Sequence, residues 1–300
     1  MPVLALILNA FVWGVSWFPF RQIQSHGVHP VWATCIVYVL ICAGMALGRR
    51  RAWMAFAAHP GLVLLGLAAG TTNVGFNWGV TQGDVVRVVL LFYLMPLWSV
   101  LLAWALLGER PTFAALARVA LALAGVAMVL KTPRTEWPLP ASLPDWLGLG
   151  AGFAFAVTNI LLRRLRAAPG EARALAMFAG CAGVAGATAL AGTASGALAP
   201  PPLLDVAWWG WILLLGTGFV FGNICLQYGA ARLSANATSV IMLSEVLFAS
   251  ISSVAAGAAT MDARIWLGGS LIVLAAAWSA FARASGAVDD RRLTSPGKRP

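Results

Sequence analysis

Two pairs of side-chain amides set inside apolar segments are the residues best placed to recognise a small polar molecule. Asn73 and Asn77 are spaced to share one helix face, and Asn223 and Gln227 repeat the same spacing further along the chain. An amide carries both donors and an acceptor, so such a set can meet an amino group and a carboxylate without stranding a charge in low dielectric. The competing use of the same groups is interhelical hydrogen bonding, worth about 0.6–2 kcal/mol per contact inside a membrane. Aromatic rings lie well inside the same apolar runs: Trp13, Trp17, Phe76, Trp78, Tyr93, Trp98, Phe155 and Tyr228. An indole facing lipid at mid-depth leaves its N–H without a partner, so part of this set is predicted to turn inward. Trp17, Trp78, Tyr93, Phe155 and Tyr228 are the candidate wall of a substrate site, suited to flat, apolar solutes. Trp32, Trp53, Trp137, Trp146, Trp208, Trp209, Trp211 and Trp266 fall instead at segment ends, where amphipathic rings sit at headgroup level.

One acid lies deep in an apolar segment, Glu245 in Leu243-Ser244-Glu245-Val246. It is a candidate for proton coupling, or a neutral acid bonded to a hydroxyl such as Ser244, Ser250 or Ser253; the structural role is the favoured expectation. Its counterpart in the first half is Met95, beside Pro96. Pro96 interrupts a helical hydrogen-bond ladder and is expected to kink it, which makes it a candidate gate or hinge. Glu109, in Leu107-Gly108-Glu109-Arg110-Pro111, reads as an anchor at a helix end.

No catalytic set can be assembled from these groups. His26, His29 and His59 stand at segment ends, and Cys35, Cys42, Cys181 and Cys225 lie in apolar runs without zinc-ligand or disulfide spacing. A membrane-embedded enzyme would need an acid–base pair or a metal triad, and neither is available, so no cofactor or metal is expected. A channel would need a continuous polar pathway or rings of charge. Central polar residues argue against a structural scaffold.

The elements that position these groups are apolar segments. Of the 300 residues 60% are hydrophobic and 10% charged, with a mean hydropathy of +0.84; a soluble domain is about 25% charged. Segments long enough to span a bilayer run over residues 3–23, 31–48, 60–81, 85–107, 113–130, 145–165, 172–192, 208–230, 235–257 and 265–283. The first has no basic stretch before it and no small-residue cleavage site, and it contains Trp13 and Trp17, so it reads as a retained helix and not a signal peptide. Residues 131–144 and the tail 284–300 are loop-like in their Pro, Gly, Arg and Asp content.

A shift of 150 residues lays the two halves over each other. Leu64-Leu65-Gly66 returns as Leu214-Leu215-Gly216, Asn73 as Asn223, Asn77 as Gln227, Trp78 as Tyr228 and Gly79 as Gly229. The predicted fold is therefore all-α and polytopic, ten transmembrane helices in two five-helix repeats, 3–130 and 145–283, followed by a cytoplasmic tail, 284–300. An odd number of spans per repeat inverts the second copy. Inverted repeats around a midplane site are the architecture of secondary transporters, in which one half rocks against the other.

The net charge of +10 is distributed by orientation. With both termini cytoplasmic, fifteen basic residues face the cytoplasm, among them Arg49, Arg50, Arg51, Arg163 and Arg164, and only Arg21, Arg87, Lys131, Arg134 and Arg264 lie outside. That is the positive-inside bias. Nucleic acid is not expected as a partner, because the loops are too short for a basic, aromatic-interleaved surface. The expected partners are membrane lipids and a small-molecule substrate, and a monomer is compatible with this reading.

The residues also resemble a known family. A first helix with Trp13-Gly14-Val15-Ser16-Trp17, a fourth with Leu94-Met95-Pro96 closing in Gly108-Glu109-Arg110, and a ninth with Ser244-Glu245 are similar to the EamA-type drug/metabolite transporters over about residues 3–283. Within that family the Trp-rich texture looks most like the bacterial YddG-type exporters of aromatic amino acids. The resemblance implies a ten-helix basket with a central hydrophobic cavity in a bacterial inner membrane. It also implies export of aromatic and other neutral, apolar amino acids by alternating access. The family includes carriers of other metabolites, drugs and nucleotide sugars, which is the alternative. Where the family often repeats Gly-Glu at the end of the ninth helix, this chain has Gly257-Ala258-Ala259-Thr260.

Overall fold

The computed structural model describes residues 1–48, 54, 56, 58–107, 112–130, 139–165, 167–202, 206–230, 232, 241–242, 244–260, 262–275 and 277–278. The described residues are helical, with turns between the helices and no strand. In chain order the helices are α1 (Pro2–Val15), α2 (Trp17–Ser25), α3 (Pro30–Gly48), α4 (Gly61–Gln82), α5 (Val85–Phe92) and α6 (Met95–Leu107). They continue as α7 (Phe113–Leu130), α8 (Leu143–Arg164), α9 (Gly170–Ala194), α10 (Trp209–Ala230), α11 (Ser244–Ala255) and α12 (Ala263–Ala275).

Two of the expected spans are each split in two, and proline explains both breaks. A proline at position i has no N–H for the carbonyl at i−4. Pro19 deprives Val15, and α1 ends at Val15; Pro96 deprives Phe92, and α5 ends at Phe92. The kink expected at Pro96 is thus present, while the matching break before Pro19 was not anticipated. The freed Phe92 carbonyl packs on Gly152 of α8, where a Cβ would stand 2.6 Å from the oxygen.

Pro2–Ser25, Leu143–Leu162, Gly170–Ala194 and Trp209–Leu226 are long and apolar enough to cross a membrane. Outward faces are apolar too: Leu64 on α4, Leu213 and Ile224 on α10, and Leu247 and Ile251 on α11 are all more than half exposed. Large apolar side chains exposed on several helices in this way belong against lipid and not water.

Helix ends alternate between two faces of the molecule. At one face Gly61 meets Leu165, and Gly229 meets Leu6 and the carbonyl of Pro2. At the other, the Gln82 amide nitrogen is 3.3 Å from His29 Nε2, the Trp32 indole donates to Thr193 Oγ1, and Thr260 N–H donates to Asp84 Oδ2. Three of the arginines expected on that face are all engaged there. Arg21 donates to carbonyls at and just beyond the end of α4, those of Val80, Thr81 and Gly83, Arg87 binds Asp145, and Arg264 binds Asp262.

Small residues permit the closest crossings. Gly66 and Gly70 of α4 lie against Ala176 and Gly180 of α9, and Gly125 of α7 lies against Gly268 of α12, where a Cβ on either would stand 2.6 Å from the other's carbonyl oxygen. α1 packs on α10 and α11, while α8 packs on α4 and on α5 and α6. α9 packs on α3, and α11 on α5.

Candidate functional site

The two proline breaks bring four aromatic residues to the middle of the bundle: Trp13 and Trp17 flank the first break, Phe92 and Tyr93 the second. From them a ladder of rings runs across it. Phe155 of α8 meets Phe92 of α5 at 5.4 Å, Phe92 meets Phe76 of α4 at 5.0 Å, and Phe76 meets Trp13 of α1 at 6.5 Å. Trp13 stacks on Phe219 of α10 at 4.6 Å, Phe219 on Tyr38 of α3 at 5.8 Å, and Tyr38 on Phe178 of α9 at 6.0 Å. Each such pair is worth about 0.5–1.5 kcal/mol beyond the area it buries. Seven helices thus contribute to one aromatic layer.

Polar groups are spaced along this layer. Tyr93 Oη donates toward Glu245 Oε2 at 3.0 Å and toward the Met242 carbonyl at 3.2 Å. Asn9 of α1 donates from Nδ2 to Met242 Sδ at 3.3 Å. The Trp17 indole N–H donates to Ser252 Oγ of α11 at 3.0 Å, and the Arg21 guanidinium lies 5.1 Å from the Trp17 ring centre. On the other flank, Tyr38 Oη donates to Asn73 Oδ1 at 2.6 Å, Asn73 Nδ2 donates to the Ala69 carbonyl, and Asn77 Nδ2 donates to Thr34 Oγ1.

The expected site residues therefore divide. Trp17, Tyr93, Phe155 and Glu245 gather in one cluster with Phe76 and Phe92. Asn73 and Asn77 lie on the α3 side, where Asn73 has both its groups engaged and the Oδ1 of fully buried Asn77 has no partner among the described residues. Trp78 is apart from the ladder. Its ring meets His29 edge-on at 5.0 Å toward the end of α4, and its buried N–H has no partner among the described residues.

Tyr228 is 40% exposed near the end of α10, with the Arg232 guanidinium 3.9 Å from its ring centre. The hydroxyl that meets Glu245 differs from expectation. Ser244 and Ser253 bond carbonyls of their own segment, and Tyr93 reaches Glu245 from another helix. Asn223 is half-buried on α10. The side chains of Gln227 and Pro96, and the whole of Glu109, lie outside the described residues.

Sequence reasoning passed over Asn9, Thr34, Tyr38, Phe92, Phe219 and Ser252. Asn9 had a signal: it is a lone amide in an apolar run, spaced from Trp13 as Trp13 is from Trp17. Ser252 and Tyr38 had none, since only tertiary packing brings them to Trp17 and Asn73.

Residues 1–131 match the EamA-like transporter family. No curated protein matches the chain. A solved structure reported as "Crystal structure of protein" shares the fold, with a TM-score of 0.57 and 21% identity over 97% of this chain and 99% of that one. The chain is a multi-pass membrane protein, helical throughout its described elements, whose first part is similar to a family of membrane transporters.

Proposed function

We propose that this protein is a secondary transporter of the drug/metabolite superfamily, built as ten helices in two inverted repeats and similar in role to YddG-type exporters. It carries neutral amino acids with large apolar side chains, phenylalanine-like above all, out across a bacterial inner membrane, with both termini cytoplasmic. Methionine and threonine are carried less well.

The observation that carries this reading is the convergence of two proline-broken helices on one aromatic layer. Discontinuous helices at mid-depth are where transporters build substrate sites, because irregular backbone in a membrane is tolerated only where it lines a site or is buried in protein. The match of residues 1–131 to a transporter family supports the class. The packing supports the repeat. Under a two-fold exchange of halves α1 corresponds to α8, α4 to α10, and α5–α6 to α11. The contacts of α1 with α10 and α11 are then the counterparts of those of α8 with α4 and with α5–α6.

The ring ladder supplies stacking surface for an aromatic side chain, and the amides and Tyr93 supply hydrogen bonds for its polar end. With Glu245 bonded to Tyr93, transport follows the solute's own gradient without proton coupling. The test is efflux from proteoliposomes loaded with labelled phenylalanine, methionine, threonine, glutamate or lysine, with and without a pH gradient. Phenylalanine should leave fastest and independently of the gradient. Preference for a charged amino acid would overturn the substrate class, and accumulation driven by the gradient would overturn the uncoupled mechanism.

A further inference from the structure

We infer that Asn9, Glu245 and the Met242 carbonyl form a binding site for a primary ammonium group, at the junction of α1, α5 and α11. The inference deepens the proposed amino acid transport by naming the residues that hold the substrate's amine.

Asn9 is fully buried, yet its Oδ1 has no partner among the described residues. Its Nδ2 meets a thioether, Met242 Sδ, which is a weak acceptor. Exchanging the amide's oxygen and nitrogen does not help, because Sδ has no hydrogen to give. A buried amide in this state is costly unless something else meets it. Opposite Oδ1 stands Gly222 of α10, whose missing Cβ would lie 3.2 Å away.

Met242 links Asn9 to the acid. Its carbonyl and Glu245 Oε2 both draw on a single donor, the Tyr93 hydroxyl, at 3.2 and 3.0 Å. Glu245 is only 6% exposed, and among the described residues no basic side chain pairs with it. The junction is therefore rich in acceptors and short of donors: a carboxylate and a carbonyl share the Tyr93 hydroxyl, and the Asn9 amide oxygen has no partner among the described residues. A primary ammonium has three donors, no acceptor and one positive charge. It fits that deficit and neutralises the acid in a medium where an unpaired charge is costly.

The position also suits the rest of the substrate. Trp13 is one helical turn beyond Asn9 on the same face and stacks on Phe219. An amine held at Asn9 and Glu245 thus presents its aromatic side chain to the ring ladder. A carboxylate would be repelled from the same spot, so the substrate's carboxylate must lie elsewhere.

The test uses the full-length protein in detergent, with binding read by thermal shift. The probes are phenethylamine, its N,N,N-trimethyl analogue and 3-phenylpropionate. Phenethylamine should raise the melting temperature, and the other two, which lack either the N–H donors or the positive charge, should not. Asn9→Leu and Glu245→Gln should each weaken phenethylamine about tenfold or more, the loss of one hydrogen bond to a charged group. Asn9→Asp, which keeps an acceptor in the same shape, should retain binding.

Equal stabilisation by all three probes, no stabilisation by phenethylamine, or binding unchanged in both loss variants would overturn the inference. Should a loss variant fail to fold, the probe series on the parent protein still decides. Failure of the wider reading looks different: phenethylamine binds through Asn9 and Glu245, yet labelled phenylalanine is not carried.

Discussion

Arg87 grips Asp145 through both carboxylate oxygens, Nε to Oδ1 at 2.7 Å and Nη2 to Oδ2 at 2.9 Å, and so ties the start of α5 to the start of α8. Asp145 is 2% exposed and Arg87 18%. The remaining valences are filled as well. Arg87 Nη1 donates to the Val129 carbonyl, and Asp145 Oδ2 accepts from the backbone N–H groups of Ala141 and Ser142. Ser142 in turn caps α8 by accepting from Asp145 N–H, a reciprocal capping box. A bidentate, hydrogen-bonded pair of this kind is the geometry in which removing one partner is most damaging.

Asp145→Ala leaves the Arg87 charge without its partner and should lower stability by about 3 kcal/mol, the low end for a broken buried pair because Arg87 keeps some solvent. Arg87→Ala should cost a similar amount. The double variant should lose much less than the two single losses added together, as residues in contact couple. Melting temperatures of the four proteins in detergent check this; strict additivity would show that the pair contributes nothing as a pair.

The α4–α9 crossing makes a second prediction. Gly180 of α9 sits directly on the backbone of Gly66, so any side chain there must push the helices apart. Gly180→Val should abolish folded, monodisperse protein. Gly183→Ala and Gly216→Ala, where no described residue lies within 4 Å of an added Cβ, should leave expression and melting unchanged. Size-exclusion profiles of the three variants distinguish these outcomes.

Much of this architecture was legible in the apolar pattern, because lipid forces every backbone polar group to be satisfied within its own helix. The segment read over 60–81 is α4, Gly61–Gln82, and that over 172–192 is α9, Gly170–Ala194. The break at Pro96 was also readable, since the missing N–H is a local property. Which amide faces which ring was not. Asn73 and Asn77 are four apart on one helix, yet one meets Tyr38 and the other Thr34, and both partners come from α3. Tyr228 shows the same limit: its place in the repeat matched Trp78, but its position near the end of α10 leaves it exposed beneath Arg232.

The two breaks should matter more for movement than for stability. Pro96→Ala gives the Phe92 carbonyl back an N–H partner and removes a source of helix disruption worth about 3 kcal/mol. Melting temperature should hold or rise while phenylalanine efflux falls about tenfold. Unchanged efflux would show that the break at Phe92 plays no part in transport.

His29 gives a pH dependence that does not involve the site. Partial burial holds its imidazole below the ordinary value of 6.5, and its Nδ1 accepts from the Val31 N–H as α3 begins. The lowered value in the folded state means that the neutral form is the stabilising one. Its contribution is complete above the unfolded value and is lost as pH falls below it. Melting temperature should therefore drop between pH 7.5 and pH 5, and less so in His29→Gln; an equal drop in both would assign the effect to other groups.

The central claim is tested most directly by counterflow. Proteoliposomes loaded with unlabelled phenylalanine and placed in a trace of labelled phenylalanine should take up label transiently and saturably, with no ion current. Trp13→Ala, which removes the rung between Phe76 and Phe219, should lower the initial rate for phenylalanine more than for threonine. Absence of counterflow from correctly inserted parent protein, or a Trp13→Ala variant that slows both amino acids equally, would contradict an aromatic site at the centre of this bundle.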